Sequence, residues 1–253
     1  MQARFLELAG KELAEKRRIA FCQTEGQSPG IVFLGGFSSD MTGTKATYLE
    51  QWAQQRGRAF LRFDYTGHGQ SSGRFEEGCI SDWYRDAEDV IASLTRGPQL
   101  LIGSSMGGWI SLLLAARRPE SVCGIVGIAA APDFTADFEN RILSDSQLRE
   151  LVDKGKVVLP SEYSDDGLTI TRRLLEDGRE NFVFDQPLSL PFPVRLLQGC
   201  ADEDVAPAVP VRLLEHAVGQ DIQLQLVKAA DHSFSSEACL LLIARAADDI
   251  LTP

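Results

Sequence analysis

Apolar residues recur along this chain in two spacings. Short apolar runs stand unbroken at Ile31–Leu34, Leu100–Ile102 and Val122–Ala129, and with one arginine inside them at Ala59–Phe63 and Val194–Leu197. An unbroken run with turn signals around it fits a strand covered on both faces, as in a parallel sheet. Between the runs the spacing changes to that of an amphipathic helix. Ala46, Leu49, Trp52 and Ala53 share one face of a helix predicted from about Gly43 to Arg56. Further helices are predicted at 83–95, 107–117, 210–217 and 236–251, the second stopped by Pro119. Two short strands are predicted within residues 3–23, followed by a turn cluster from Glu25 to Gly30. Ile222–Leu226 alternates with period two and reads as a late strand. Strands alternating with helices predict an α/β fold, a mostly parallel twisted sheet flanked by helices.

The alternation breaks near Pro132 and resumes near Leu190. Residues 133–190 are richer in charge and turns. Ser144 and Gln147 have capping-box spacing, opening a helix through Lys154. Val157–Leu159 and Leu168–Ile170 flank Asp165-Asp166-Gly167 as a hairpin, and a short helix follows from Arg172 to Gly178. Such a segment is too small to bury much core alone. The expectation is a core of residues 1–132 and 191–253, with 133–190 a cap inserted over the sheet's carboxyl edge.

The 253 residues suffice for one large domain, and 44% hydrophobic content is in the globular range. A net charge of −11 argues against nucleic acid and anionic membrane surfaces as partners. The five cysteines are scattered without a C-x-x-C pair, which suits a reducing compartment and neither a disulfide framework nor a zinc site. No secretory signal and no apolar run long enough to span a membrane is evident. These features give the expectation of a cytoplasmic protein with no metal and no cofactor.

The chemistry centres on Gly103-Ser104-Ser105-Met106-Gly107, which reads G-x-S-x-G between an apolar strand and an apolar helix. That context places Ser105 on a strand-to-helix turn as a nucleophile, with the Met106 N–H aimed at a developing oxyanion. A serine needs a base, and the base an orienting carboxylate. The histidines are His68, His216 and His232. His216 falls in a predicted helix and reads as a surface residue. His68 precedes the serine, between two glycines, and reads as packed locally. His232 follows the last strand and meets the order Ser…Asp/Glu…His. The acid comes from Gly199-Cys200-Ala201-Asp202-Glu203-Asp204. Asp202 is the first choice and Asp204 the alternative, while Asp231 reads as a turn residue. Gly35-Gly36-Phe37, after the first parallel strand, offers the Phe37 N–H as a second oxyanion donor.

Together the elbow, the Gly-Gly-Phe loop, the Gly-x-x-Asp after a late strand and the final histidine resemble the α/β-hydrolase superfamily over essentially the whole chain. Phe33–Ala46, Arg62–Gly73 and Asp82-Trp83 more closely resemble the α/β-hydrolase-domain protein ten family. Its animal members are mitochondrial acyl-protein thioesterases and acyl-glucuronide esterases. The resemblance implies a serine esterase or thioesterase with Ser105, Asp202 and His232 as triad, and a small-molecule or acylated-protein ester or thioester as substrate. Two features depart from the family: no mitochondrial presequence is evident, and Gly35-Gly36 stands where many relatives have His-Gly. The alternatives are a C–C bond hydrolase or perhydrolase on the same fold, or a binding protein that kept the fold without catalysis.

Overall fold

The computed structural model describes residues 2–9, 16–160 and 167–252. Along the chain the elements are β1 (Arg4–Ala9), β2 (Lys16–Thr24), β3 (Gln27–Leu34), α1 (Thr44–Gln55), β4 (Arg58–Phe63), α2 (Ile80–Leu94), β5 (Gln99–Ser104), α3 (Met106–Arg117) and β6 (Val122–Ile128). Then come α4 (Thr135–Asp137), a π-helical turn at Phe138–Ile142, α5 (Asp145–Lys154), β7 (Lys156–Leu159), β8 (Leu168–Thr171), α6 (Arg172–Arg179) and β9 (Leu188–Ser189). The chain closes with β10 (Val194–Gly199), α7 (Ala208–His216), β11 (Ala217–Val218), β12 (Ile222–Val227) and α8 (Glu237–Leu251).

Eight strands form one sheet in the order β1-β2-β4-β3-β5-β6-β10-β12. β1 pairs antiparallel with β2, and β2 with β4; every later pair is parallel. The apolar runs account for this order. β5 is buried along its whole length because β3 and β6 flank it and helices cover both faces. On one face Trp83 of α2 and Trp109 and Ile110 of α3 pack on Leu101 and Ile125. On the other, Leu49 and Trp52 of α1 and Ile243 and Ala247 of α8 pack on Ile102 and Val126. The architecture is the expected α/β one, a mostly parallel sheet flanked by helices on both faces.

The turn predicted from Glu25 to Gly30 is shorter than its composition suggests. β3 already begins at Gln27, which pairs with Arg58, and the register shifts before Ile31 meets Phe60. Pro29 is admitted because it stands in that irregular stretch near the strand's start. Between β6 and β10, Ser144 caps α5, accepting from the Gln147 N–H while the Gln147 side chain accepts from the Ser144 N–H. β7 and β8 pair antiparallel as predicted, while Asp165 and Asp166 of the expected turn lie outside the described residues. α4 and the π-turn have no capping signal in the sequence, and were not anticipated.

Candidate active site

Ser105 sits between β5 and α3 with φ +54° and ψ −117°. This conformation is costly for a residue with a Cβ, and the surroundings enforce it. The Ser105 N–H donates to the Ile128 carbonyl at 2.9 Å, and the Ser105 carbonyl accepts from Gly108 at 2.9 Å and Ala131 at 3.1 Å. Glycine is needed on both sides of the turn. A Cβ on Gly103 would fall 2.3 Å from the Gly107 carbonyl oxygen, and one on Gly107 would fall 2.0 Å from the Leu34 oxygen. The elbow is thus a point where α3, β5 and the end of β3 touch backbone to backbone.

His232 follows β12, on the loop leading to α8. Its Nε2 lies 3.2 Å from Ser105 Oγ, and its Nδ1 lies 2.9 and 3.1 Å from the two Asp202 carboxylate oxygens. The Asp202 side chain is closed off from solvent while His232 keeps 21% exposure, so the pair reaches solvent only through the histidine. Burial alone would push the Asp202 carboxyl up. Hydrogen bonds from His232, the Val205 N–H and Gln198, together with the His232 charge, outweigh it and leave the carboxyl below its ordinary range. Those bonds measure 2.8 Å from Val205 and 2.8 Å from Gln198 Nε2, and the Asp204 N–H adds another at 2.9 Å.

The structure therefore brings Ser105, His232 and Asp202 into one chain of contacts. Asp204 is exposed, and its backbone N–H serves Asp202. Asp202, Asp204 and His232 do offer ligand atoms within 4.8 Å of one another, but both ring nitrogens of His232 face Ser105 and Asp202. His68 is buried among the rings of Tyr65, Phe75 and Trp83, away from this chain of contacts. His216 is not the free surface residue its helix suggested. It is half-buried, with Nε2 2.8 Å from the Gln186 carbonyl and 3.1 Å from that of Val183, because the returning limb of the 133–190 segment crosses α7 there. Asp231 caps its own turn, accepting from Ser233 Oγ at 2.9 Å and the Phe234 N–H at 3.0 Å.

Met106 opens α3, where a backbone N–H has no helical carbonyl to meet. A Cβ on Gly36 would lie 3.4 Å from the Ser105 Cβ, so the Gly36–Phe37 peptide abuts the elbow. The Phe37 ring packs against Phe75, Trp83 and Phe134, with centroids 4.9, 5.7 and 5.3 Å away. Two supporting residues escaped sequence reasoning. Asp64, at the end of β4, accepts from the Met41 N–H at 2.6 Å and the Gln70 N–H at 2.8 Å, locking the loop that carries Phe37. Gln198 is fully buried beside Asp202. Its one visible signal is a lone amide in the otherwise apolar end of β10.

With the geometry in view, comparison with known proteins places the chain. The Hydrolase_4 family model, described as serine aminopeptidase, S33, matches residues 30–159. A bovine (Bos taurus) protein, palmitoyl-protein thioesterase ABHD10, mitochondrial, is 34% identical over 92% of this chain and 76% of its own. This chain belongs to the ABHD10-like α/β-hydrolases. The human ABHD10 thioesterase is 33% identical over the same share of the chain. Among solved structures, α/β hydrolase domain-containing protein 10 from mouse superposes with a TM-score of 0.88 at 32% identity, covering 99% of this chain and 98% of that one. A protein from Agrobacterium vitis S4 superposes with a TM-score of 0.92 at 37% identity, covering 99% of both chains. As a member of this family the chain is a hydrolase. The expectation of a cytoplasmic location is corrected by the same comparison, since the bovine, mouse and human relatives are all named as mitochondrial. Unpaired cysteines report a reducing environment, and the cytoplasm is not the only one. Among the described residues, no helix is long and apolar enough to cross a membrane.

Proposed function

We propose that the chain hydrolyses acyl thioesters and carboxylic esters through an acyl-enzyme on Ser105. The supporting observation is the continuous contact from Ser105 Oγ through the His232 ring to Asp202, at an elbow with positive φ. A carboxylate on Nδ1 fixes the tautomer that leaves a lone pair on Nε2. His232 then takes the hydroxyl proton as Ser105 Oγ attacks the acyl carbon. The Phe37 and Met106 N–H groups receive the carbonyl oxygen as it becomes an oxyanion, a type of contact worth about 2.7–4 kcal/mol per donor. His232 passes its proton to the departing thiol or alcohol. Water, activated by the same ring, frees the acid and restores Ser105.

Residues 133–190 serve in this reading as the cap, and 1–132 with 191–253 as the core. Phe134, at the start of the cap, packs on Phe37 beside the oxyanion loop and on Trp109 of α3 at 5.5 Å. An aromatic seam between the Phe37 loop and the first turns of α3, the helix that Ser105 precedes, suits the acyl portion of the substrate. The ABHD10 relatives are named palmitoyl-protein thioesterases, and an S-acylated protein or a small acyl thioester is the natural candidate here.

A fluorophosphonate probe applied to the purified protein, alongside p-nitrophenyl esters and an S-palmitoyl thioester peptide, tests this reading. Labelling at Ser105 with turnover is expected, and Ser105→Ala should lower kcat by at least about 10⁴-fold with the fold intact. A folded Ser105→Ala protein that keeps its activity overturns it.

A further inference from the structure

Lys45 is a charged residue for which the catalytic reading has no use, and it is half-buried. It lies in the first turn of α1, just beyond the loop that carries Phe37. Its ammonium donates to the backbone carbonyl of Ser233, the residue after His232. The contact bridges residues 188 apart in sequence. Burial lowers the Lys45 pKa, with Asp231 and Cys239 acting against that shift. A half-buried ammonium that has given up hydration is poorly explained as a solubility device, and the Ser233 carbonyl with the nearby Asp231 charge offsets that loss.

The turn it reaches is braced from within as well as from outside, since Ser235 Oγ donates to the same Ser233 carbonyl at 2.9 Å. Asp231 braces it from within, through Ser233 Oγ and the Phe234 N–H. Phe234, fully buried, takes φ +48°, a conformation that a bulky side chain adopts only when its surroundings impose it. Lys45 holds the Ser233 carbonyl between those two points. The other end of α1 is also tied to α8, where Arg56 donates to both Asp248 oxygens at 2.8 and 2.7 Å. On its other side, the loop before α1 is clamped to β4, since Met41 gives its N–H to Asp64 and accepts from Arg62 at 2.7 Å. One side chain thus joins the segment that carries the oxyanion donor to the segment that carries the base.

We infer that Lys45 is a positioning residue, setting the His232 turn against the Phe37 loop so that base and oxyanion donor meet one acyl carbon together. The inference rests on the serine-hydrolase reading above. A misplacement of about 1 Å in a reacting group can cost about 10²-fold in rate. Lys45→Met keeps much of the apolar stem and removes the donor. It should lower kcat on p-nitrophenyl acetate by about 10- to 100-fold and slow fluorophosphonate labelling of Ser105 in parallel, with KM changed less than about threefold. Lys45→Arg, which can still donate to the Ser233 carbonyl, should recover most of that loss. A purely structural lysine would lower the melting temperature and leave kcat per folded molecule unchanged. Where Lys45→Met does not fold, Lys45→Leu, which also lacks a donor, is read in the same way. Ser105→Ala runs beside them. If it stays active, the serine-hydrolase reading fails. If it is inactive while Lys45→Met, or Lys45→Leu in its place, turns over at the native kcat, the positioning role alone is overturned. Failure of Lys45→Arg to exceed Lys45→Met also overturns it.

Discussion

The His68 ring meets Tyr65, Phe75 and Trp83 edge-on, with centroids 5.6, 5.1 and 5.2 Å away, and its Nδ1 lies 3.3 Å from the Thr66 carbonyl. Burial among these rings lowers its pKa to about 4, the Thr66 carbonyl pulling weakly the other way. Between that value and the ordinary 6.5, the unfolded chain holds a proton that the folded one refuses. Stability is therefore lost as pH falls from about 6.5 to about 4, by up to about 3 kcal/mol. Asp86 and Asp133, both raised to about 6 chiefly by burial, act in the opposite sense over part of this window. His68→Phe keeps a ring and removes the titration. Its melting temperature should fall less than the native protein's across that range, and since the two aspartates are common to both, the difference isolates His68. Superimposable pH profiles would show that the native ring takes up its proton freely. At this scale the sequence separated the histidines by chain order and loop context, but Asp202 and Asp204 are alike as letters. What distinguishes them is that Asp202 turns inward to four donor groups while Asp204 contributes only its backbone.

The strand–elbow–helix unit is the element on which the site depends, and its glycines carry a cost that can be tested. With a Cβ on Gly107 only 2.0 Å from the Leu34 oxygen, a backbone atom with no flexible end to swing away, Gly107→Ala must push α3 off β3. Overpacking of this kind typically destabilises by about 1–3 kcal/mol. The shift also moves the Met106 N–H, so fluorophosphonate labelling should slow by more than the lost stability explains. A variant with native melting temperature and native labelling rate would contradict the close packing. This unit was legible because three signals coincide: an apolar run, glycines at fixed offsets, and a helical run after them. Other elements lacked that agreement. Gln27–Gly30 has turn composition yet lies within β3, where Gln27 pairs with Arg58 of the neighbouring strand and residues 28–30 form the irregular stretch before Ile31, a tertiary pairing that local propensity does not predict. α4 and the π-turn after it form where Thr135 and Phe138 are buried against the rest of the chain, a tertiary effect with no periodic trace.

At the scale of the whole molecule, the 133–190 segment is tied to the core along its described length, through Lys156 to Glu76 and Arg173 to Asp82, and at its root. Asp133 takes φ +59° and accepts from the Val183 N–H at 2.8 Å and the Phe184 N–H at 3.1 Å, so one carboxylate closes the neck of the insertion. Asn181 anchors the returning limb, accepting from Trp109 Nε1 at 3.1 Å and Arg117 at 2.7 Å and donating to Ser81 Oγ at 2.9 Å. Ala131, two residues before Asp133, donates to the Ser105 carbonyl, so the neck is continuous with the elbow. If this segment is the cap, loosening its neck should affect the grip on the acyl chain more than the chemistry at Ser105. Asp133→Ala strands two part-buried N–H groups, at up to about 1–3 kcal/mol each, and leaves a residue with a Cβ at positive φ. KM for an S-palmitoyl thioester is expected to rise several-fold. The kcat for p-nitrophenyl acetate, whose acyl group is only two carbons long, should change less than about threefold. Asp133→Asn keeps one acceptor and tolerates the backbone conformation, and should fall between the two. Equal losses on long and short substrates would mean instead that the neck supports the elbow itself, acting through Ala131 on the Ser105 peptide and not through the cap.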